Sequence, residues 1–245
     1  MNRSSHQRPA TAASDEFPCR DCDVRSRAIC AALAPHELAE LNAIVSEVHL
    51  EPQQAVFYEG DPAVYAFSVT RGVARLSKML PDGRRQITGF LYPGDFLGFA
   101  FHEAYAYTAE AVTDLRLCRF PRPKLTALFD AHPKLERRML SFASNELELA
   151  QDQMLLLGRK HARERLASFL LKLSERAERL GEPADPIDLP MNRTDIADYL
   201  GLTIETVSRT FSQLIQRGVI RAVTTHRIAV KDREALLAVA EGEPD

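Results

Sequence analysis

Residues 133–159 read PKLERRMLSFASNELELAQDQMLLLGR. Between Pro133 and Gly158 there is neither proline nor glycine, so nothing interrupts a helix of about seven turns. Leu140, Ala143, Leu147, Ala150, Met154 and Leu157 recur at spacings of three, four, three, four and three. That is the seam of a coiled coil, narrower than the apolar stripe of a helix laid on one core. Its two alanines let a second backbone come close. Ser144, Asn145, Glu148, Gln151 and Asp152 fall off the seam. A long core helix within one domain fits the same periodicity, so the flanking segments decide.

With 245 residues the chain has length for two domains, each with its own core. Hydrophobic residues at 45% and charged residues at 27% describe a soluble globular protein. No apolar run reaches the length of a membrane span, and the opening MNRSSHQRPATAASDEF lacks the apolar core of a signal peptide. A cytoplasmic protein with no membrane partner is expected. Four cysteines in such a chain suggest a metal or redox site more than a disulfide framework. The net charge of −3 hides a local basic excess: residues 159–233 hold 14 Lys+Arg against 10 Asp+Glu, and residues 1–158 hold 17 against 20. A modest basic surface confined to the C-terminal third suits a DNA-binding module.

Residues 1–18 form a polar tail expected to be disordered. The cysteine-bearing segment PCRDCDVRSRAIC follows, then a short helix from Pro35 to about Val45. From Glu47 to Phe120 short strands alternate with turns at Gly60, Gly72, Gly83 and Gly94, the spacing of a small all-β sandwich or barrel. After the seam helix, HARERLASFLLKLSERAERLG is amphipathic, with Leu166, Phe169, Leu170 and Leu173 on one face and Gly181 as its stop. A short strand at Ile187–Pro190, two compact helices, a two-stranded wing and a closing helix complete the chain.

The segment MNRTDIADYLGLTIETVSRTFSQLIQRGVI carries the strongest motif. Asn192 caps one helix, with Asp195 completing a pair like that of a capping box. Gly201 makes the turn, and Thr203 caps the second helix. On that second helix Val207, Phe211 and Leu214 face inward, while Glu205, Ser208, Arg209 and Ser212 share the outward face. Arg209 can donate twice to guanine, Glu205 can accept from cytosine, and Ser208 can serve base or phosphate. Arg193, Thr194, Arg217, Arg221, His226 and Arg227 suit phosphates, which position a reader without specifying sequence.

These residues resemble those of the CRP/FNR family of transcription regulators, and the match runs from Cys19 to Ala240. The resemblance implies an α+β fold: an N-terminal antiparallel β-roll of the cupin or jelly-roll kind, a long dimerisation helix and a C-terminal winged helix-turn-helix. It divides the chain at residues 19–132, 133–160 and 161–245. Glu205-Thr206-Val207-Ser208-Arg209 matches the E-x-x-S-R motif of the FNR branch and implies TTGAT-type half-sites in an inverted repeat. Double-stranded DNA, a second copy of the chain and RNA polymerase are the implied partners. FNR-branch relatives can carry an acid where this chain has Ala150, whereas here every seam position is apolar.

β-rolls of this family often bind a cyclic nucleotide, using a Glu after a PGDFxG-like turn and an Arg-Ser pair for the phosphate. Here Pro93-Gly94-Asp95-Phe96-Leu97-Gly98 is followed by Phe99, and Tyr107-Thr108 stand in place of the pair. With no cation there for a phosphate, no cyclic nucleotide is expected. The cysteines point elsewhere. Cys19, Cys22 and Cys30 follow C-x2-C-x7-C, and Cys118 ends the last strand. Four thiolates meet the needs of one [4Fe–4S] cluster per chain. Arg20, Arg25 and Arg27 would favour thiolates. From residues alone, a structural zinc site, thiol redox chemistry or cysteines without a joint role remain open.

The FNR resemblance implies the cluster, because that branch places three N-terminal cysteines and one late β-roll cysteine in these positions. The spacer of seven residues before Cys30 is longer than in some relatives. An oxygen-responsive regulator that dimerises at low oxygen is the implied function. A regulator of the same fold sensing nitric oxide, a haem-borne gas or thiol oxidation is the alternative. An enzyme is not expected: no nucleophile–base pair, phosphate loop or hydrolase metal spacing occurs, and His102, His132 and His161 stand singly.

Overall fold

The computed structural model describes residue 19 and residues 22–98 and 103–243. The tail 1–18, Arg20, Phe99 and His102, all named above, lie outside the described residues. A run of turns from residue 23 ends in a 3-10 turn at Ile29–Ala32, and helix α1 spans Leu38–Asn42. Eight strands follow: β1 Ser46–Leu50, β2 Ala55–Phe57, β3 Tyr65–Arg71, β4 Ala74–Met79, β5 Arg85–Leu91, β6 Phe96–Leu97, β7 Thr108–Ala111 and β8 Leu115–Pro121. They form two antiparallel sheets in the orders β1-β8-β3-β6 and β2-β7-β4-β5.

Alternation along the strands builds the core between the sheets. Leu115 and Leu117 of β8 point inward and Arg116 outward, and Phe57, Phe67, Val69, Leu76 and Leu97 complete the layer. Strand β1 carries the weakest alternation. Only Val48 and Leu50 mark its inner face, and both are half-buried. Strand β6 is two residues long.

Helix α2 covers Arg122–Ala131 and α3 covers Pro133–Arg159. The C-terminal unit then runs α4 Ala162–Arg179, β9 Ile187–Asp188, α5 Arg193–Leu200, α6 Ile204–Gln216, β10 Ile220–Thr224, β11 Arg227–Val230 and α7 Arg233–Glu241. Its wing gains a third strand, because β9 pairs with β11. Leu166, Phe169 and Leu170 of α4 meet Ile196, Leu200, Val207, Phe211, Leu214 and Leu236 in a core separate from that of the roll. Among the described residues no helix is long and apolar enough to cross a membrane.

One turn of the roll admits only glycine. Gly72 has φ +82, and a Cβ there would lie 2.0 Å from the Asp114 carbonyl oxygen. Gly83 has φ +86 but open space around it. Gly83→Ala should therefore cost only the left-handed backbone, about 1–2 kcal/mol. Gly72→Ala should cost roughly 1–3 kcal/mol more, because β3 or β8 must shift. Urea unfolding of the two variants checks this, and equal losses would contradict it.

Candidate functional site

Two caps set the geometry of the helix-turn-helix. Asn192 Oδ1 accepts from the Asp195 N–H at 2.8 Å, and Thr203 Oγ1 accepts from the Thr206 N–H at 3.2 Å. Gly201 between them is left-handed at φ 62, as a glycine after a helix permits. Val207, Phe211 and Leu214 are buried, leaving Glu205, Ser208, Arg209 and Ser212 exposed on one face of α6. The Glu205 carboxyl is held below the usual carboxylate range by its own backbone N–H, by the Thr203 hydroxyl and by the charge of Arg209 one turn on. Glu205 and Arg209 thus present an acceptor and a donor fork side by side.

Other expected contacts are engaged within the protein. Arg193 stacks its guanidinium 3.4 Å above the Phe211 ring, and burial lowers its pKa from the ordinary value. This contact ties α5 to α6. Thr206 is half-buried with its hydroxyl 3.1 Å from that of Thr203, so it serves the cap. The Ser212 hydroxyl donates to the Ser208 carbonyl at 3.0 Å. Arg227 pairs with Asp188 at 2.5 Å, and His226 Nδ1 lies 3.1 Å from the Leu189 carbonyl oxygen. Thr194, Arg217 and Arg221 are exposed.

The grip on α5 escaped the sequence reading. Asp195 does not return its side chain to the cap. It is buried, and its Oδ1 accepts from Arg75 and Arg85 of the roll, each at 2.9 Å. At the other end of α5, Tyr199 O accepts from Gln153 of α3 at 2.7 Å and from Gln86 of β5 at 3.3 Å. Arg165 donates to Leu200 O at 2.8 Å, to Leu157 O at 2.9 Å and to Lys160 O at 2.8 Å. One guanidinium therefore closes the carbonyl ends of both α3 and α5, where helices leave acceptors unsatisfied. These partners lie far apart in the chain, and no spacing rule reports them.

Helix α3 buries Leu135 and Met139 at its head and Gln153 and Leu156 near its end. The seam residues between are bare: Leu140, Ala143, Leu147, Ala150 and Met154 are all exposed, with Met154 at 70%. Leu149 and Leu155 are exposed too, but they lie round the helix from the seam. Leu157 departs from it. That residue is half-buried, its Cδ2 packed beside Gly201 of the helix-turn-helix.

Near the head of α3, Cys22, Cys30 and Cys118 pack into one apolar cluster with Val24, Ile29, Leu125, Leu135 and Met139. Cys118 lies on β8 between Glu47 of β1 and Ser68 of β3. All four cysteines are free thiols. Burial pushes Cys118 up to about 12, and the charges of Cys19, Cys22 and Cys30 add to it. Cys30 is raised to about 11 by burial and then by Cys22 and Cys19, and Cys19 is raised by burial and Cys22. The four groups are therefore in electrostatic reach of one another. Arg25 opposes the rise at Cys19 and Cys30 but is outweighed, and Arg27 turns away to Glu182 at 3.2 Å.

A single zinc ion would hold tetrahedral sulfurs roughly 3.8 Å apart, from Zn–S bonds of about 2.3 Å. Among the described residues no three His, Cys, Asp or Glu groups are gathered to hold one metal ion. A cubane with one cysteine per iron sets its sulfurs wider. Cys22, Cys30 and Cys118 share one apolar cluster as free thiols, and Cys19 is a buried free thiol as well. The interior of the roll, by contrast, is filled by its own aromatics. Phe57 and Tyr105 stack at 3.7 Å, and Tyr107 accepts from the Gly98 N–H at 3.2 Å. Thr108 Oγ1 accepts from the Glu59 N–H at 3.0 Å.

The family model of the Crp-like helix-turn-helix domain matches residues 164–239, and that of the cyclic nucleotide-binding domain matches residues 47–132. The chain is 42% identical over 231 residues to the transcriptional activatory protein AadR of Rhodopseudomonas palustris, covering 94% of this chain and 96% of that one. It is 40% identical over 231 residues to the transcriptional activator protein FnrL of Cereibacter sphaeroides, covering 93% of each. Among solved structures, FixK2 from Bradyrhizobium japonicum superposes with a TM-score of 0.75 at 37% identity, covering 80% of this chain and 97% of that chain.

The bare seam makes a direct prediction. Ala150 is exposed in the single chain, so Ala150→Asp should leave the fold of each chain intact. Two carboxylates facing each other across a pair of α3 helices should lower dimer content at least severalfold. Sedimentation of both proteins at one concentration measures it, and an unchanged dimer would remove Ala150 from the interface.

Proposed function

The chain belongs to the CRP/FNR family of transcription regulators, whose members bind DNA and are not enzymes, and we propose that it is an oxygen-responsive activator with one [4Fe–4S] cluster on Cys19, Cys22, Cys30 and Cys118. The observation that carries this reading is the core shared by the cysteine pocket and the head of the dimer helix. Cys22, Cys30 and Cys118 sit in the same cluster as Leu135, Met139 and Phe142 of α3. Arg138 Nη2 of α3 also donates to the Arg27 carbonyl at 2.6 Å, inside the spacer before Cys30.

When bound, the cluster supplies iron–thiolate bonds that oxygen destroys, tying residues 19–30 to β8. Val24, Ala28 and Ile29 then press on Leu135 and Met139 as a fixed wall, and Arg138 hangs on a fixed carbonyl. Without the tie, that wall depends on its own apolar contacts, and the head of α3 loses support. The dimer responds only by the difference between the two states, so its pairing energy must be modest. Two α3 helices joined along Leu140, Ala143, Leu147, Ala150 and Met154 carry two α6 faces to successive major-groove half-sites on one side of DNA. Glu205, Ser208 and Arg209 read a TTGAT-type half-site in each.

The names of AadR and FnrL support activation, and an activator working in the cytoplasm has RNA polymerase as its partner. The aromatic filling of the roll and the engaged Tyr107 and Thr108 support a protein that takes no cyclic nucleotide.

Iron and acid-labile sulfide per chain, measured anaerobically beside the visible spectrum, test the cluster. Four irons and broad thiolate-to-iron absorption are expected, and Ser at any of Cys19, Cys22, Cys30 or Cys118 should abolish both. Zinc in place of iron with full DNA binding would overturn the reading. Arg209→Ala should weaken binding to a TTGAT inverted repeat by about 1–3 kcal/mol per half-site and leave binding to scrambled DNA unchanged. Equal losses on both DNAs at one salt concentration would make Arg209 a phosphate contact.

A further inference from the structure

The first helix of the DNA reader is clasped by charge. Asp195 is 1% exposed and Arg75 8% exposed, and the two meet at the contact between the roll and the reader. Arg75 on β4 donates from Nη1 to Asp195 at 2.9 Å and from Nε to Glu110 of β7 at 3.2 Å. Arg85 on β5 donates from Nη2 to Asp195 at 2.9 Å and from Nε to Asp198 at 2.8 Å. Two guanidinium forks from one hairpin thus meet two carboxylates one turn apart on α5.

Such a cluster contributes little net stability, because desolvating the charges offsets their attraction, and an apolar contact of the same size would hold as well. What the forks add is direction. Phe90 lies 6.4 Å from Phe169 and 5.4 Å from Tyr199 in the same contact, and aromatic faces of that kind tolerate sliding. Paired guanidinium–carboxylate bonds do not, since each fixes both distance and angle. The clasp also leaves the reading face open: Glu205, Ser208, Arg209 and Ser212 stay exposed while α5 is held. It aims the reader and does not hide it.

Aim matters most when two readers act together. A dimer gains its affinity for paired half-sites from the effective concentration of the second reader, which falls if that reader swings freely. We propose that the clasp of Arg75 and Arg85 on Asp195 and Asp198 sets the half-site spacing the dimer accepts, with Asp195 as a positioning residue for DNA reading. This rests on the dimeric DNA-binding function above. The spacing rule then resides in the β4–β5 hairpin as well as in the dimer helix.

The test uses the full-length chain under anaerobic conditions, as wild type, Arg85→Gln, Asp195→Asn and the double variant. The DNAs are a series of inverted repeats whose central gap changes by one base pair at a time, and a single half-site. Asp195 is buried in the reader, so its variant also needs a melting curve. Arg85 lies outside the reader core, and its variant decides the question whether or not Asp195→Asn folds. Wild type should prefer one gap sharply. Arg85→Gln should bind that gap roughly tenfold more weakly and spread its affinity across neighbouring gaps, with half-site affinity and dimer content unchanged. The double variant should be no weaker than the weaker single, as expected for one shared contact. Wild-type gap preference retained by Arg85→Gln overturns the clasp, and so does an equal loss on repeat and half-site. A wild-type chain that binds repeats no better than a half-site overturns the dimeric reading itself, and the clasp with it.

Discussion

Helix α3 has both its ends buried and its middle bare, and the rest of the molecule is arranged by that constraint. Leu135 and Met139 are anchored in the core that holds the cysteines, and Leu156 is anchored in the core of the reader. Between them Leu140, Leu147 and Met154 face open space. A continuous helix transmits a displacement of its head along its whole length, because its backbone hydrogen bonds leave no hinge. Burying each bare leucine or methionine is worth about 1.5–3 kcal/mol. A second copy of the same face is the covering that satisfies both helices at once.

The cores at the two ends differ in how they are joined to the roll. At the head of α3 the joint is apolar, with the cysteines built into it. At the reader it is ionic and directional. Asp195 and Asp198 meet Arg75 and Arg85, and Asp95 of the Pro93-Gly94-Asp95 turn meets Arg176 of α4 at 2.8 Å. Arg176 also lies 4.4 Å above the Tyr92 ring. The Pro93-Gly94-Asp95 turn of the roll thus helps to hold the reader. Arg27 extends the same logic: it reaches Glu182 of the C-terminal unit from within the cysteine spacer, in close contact with Gly94. That ion pair is partly exposed and worth at most about 1 kcal/mol.

What could be read from the sequence was local. The caps at Asn192 and Thr203, the left-handed Gly201 and the inward Val207, Phe211 and Leu214 depend on neighbours within one or two turns, and spacing reports them. The exposed face of α3 was legible for the same reason. What spacing does not report involves partners distant in sequence. Asp195 looks like half of a capping pair until two arginines more than a hundred residues away claim it. Arg193, read as a phosphate contact, also lies over the Phe211 ring. Leu157 continues the seam by periodicity, but the turn at Gly201 takes it. The cysteines are intermediate. Their spacing suggested a shared site; Arg25 lowers Cys19 and Cys30, but burial and the neighbouring cysteines outweigh it. The alternation of strand β1 is weak, because its inner residues Val48 and Leu50 are only half-buried.

The central claim is that the state of the cysteine pocket decides whether α3 pairs. The direct measurement is the sedimentation of one preparation, first anaerobic and then after exposure to air, with iron counted in each. The account predicts a dimer carrying four irons per chain that shifts towards monomer as the iron is lost. A dimer fraction that does not change while the iron disappears would contradict it.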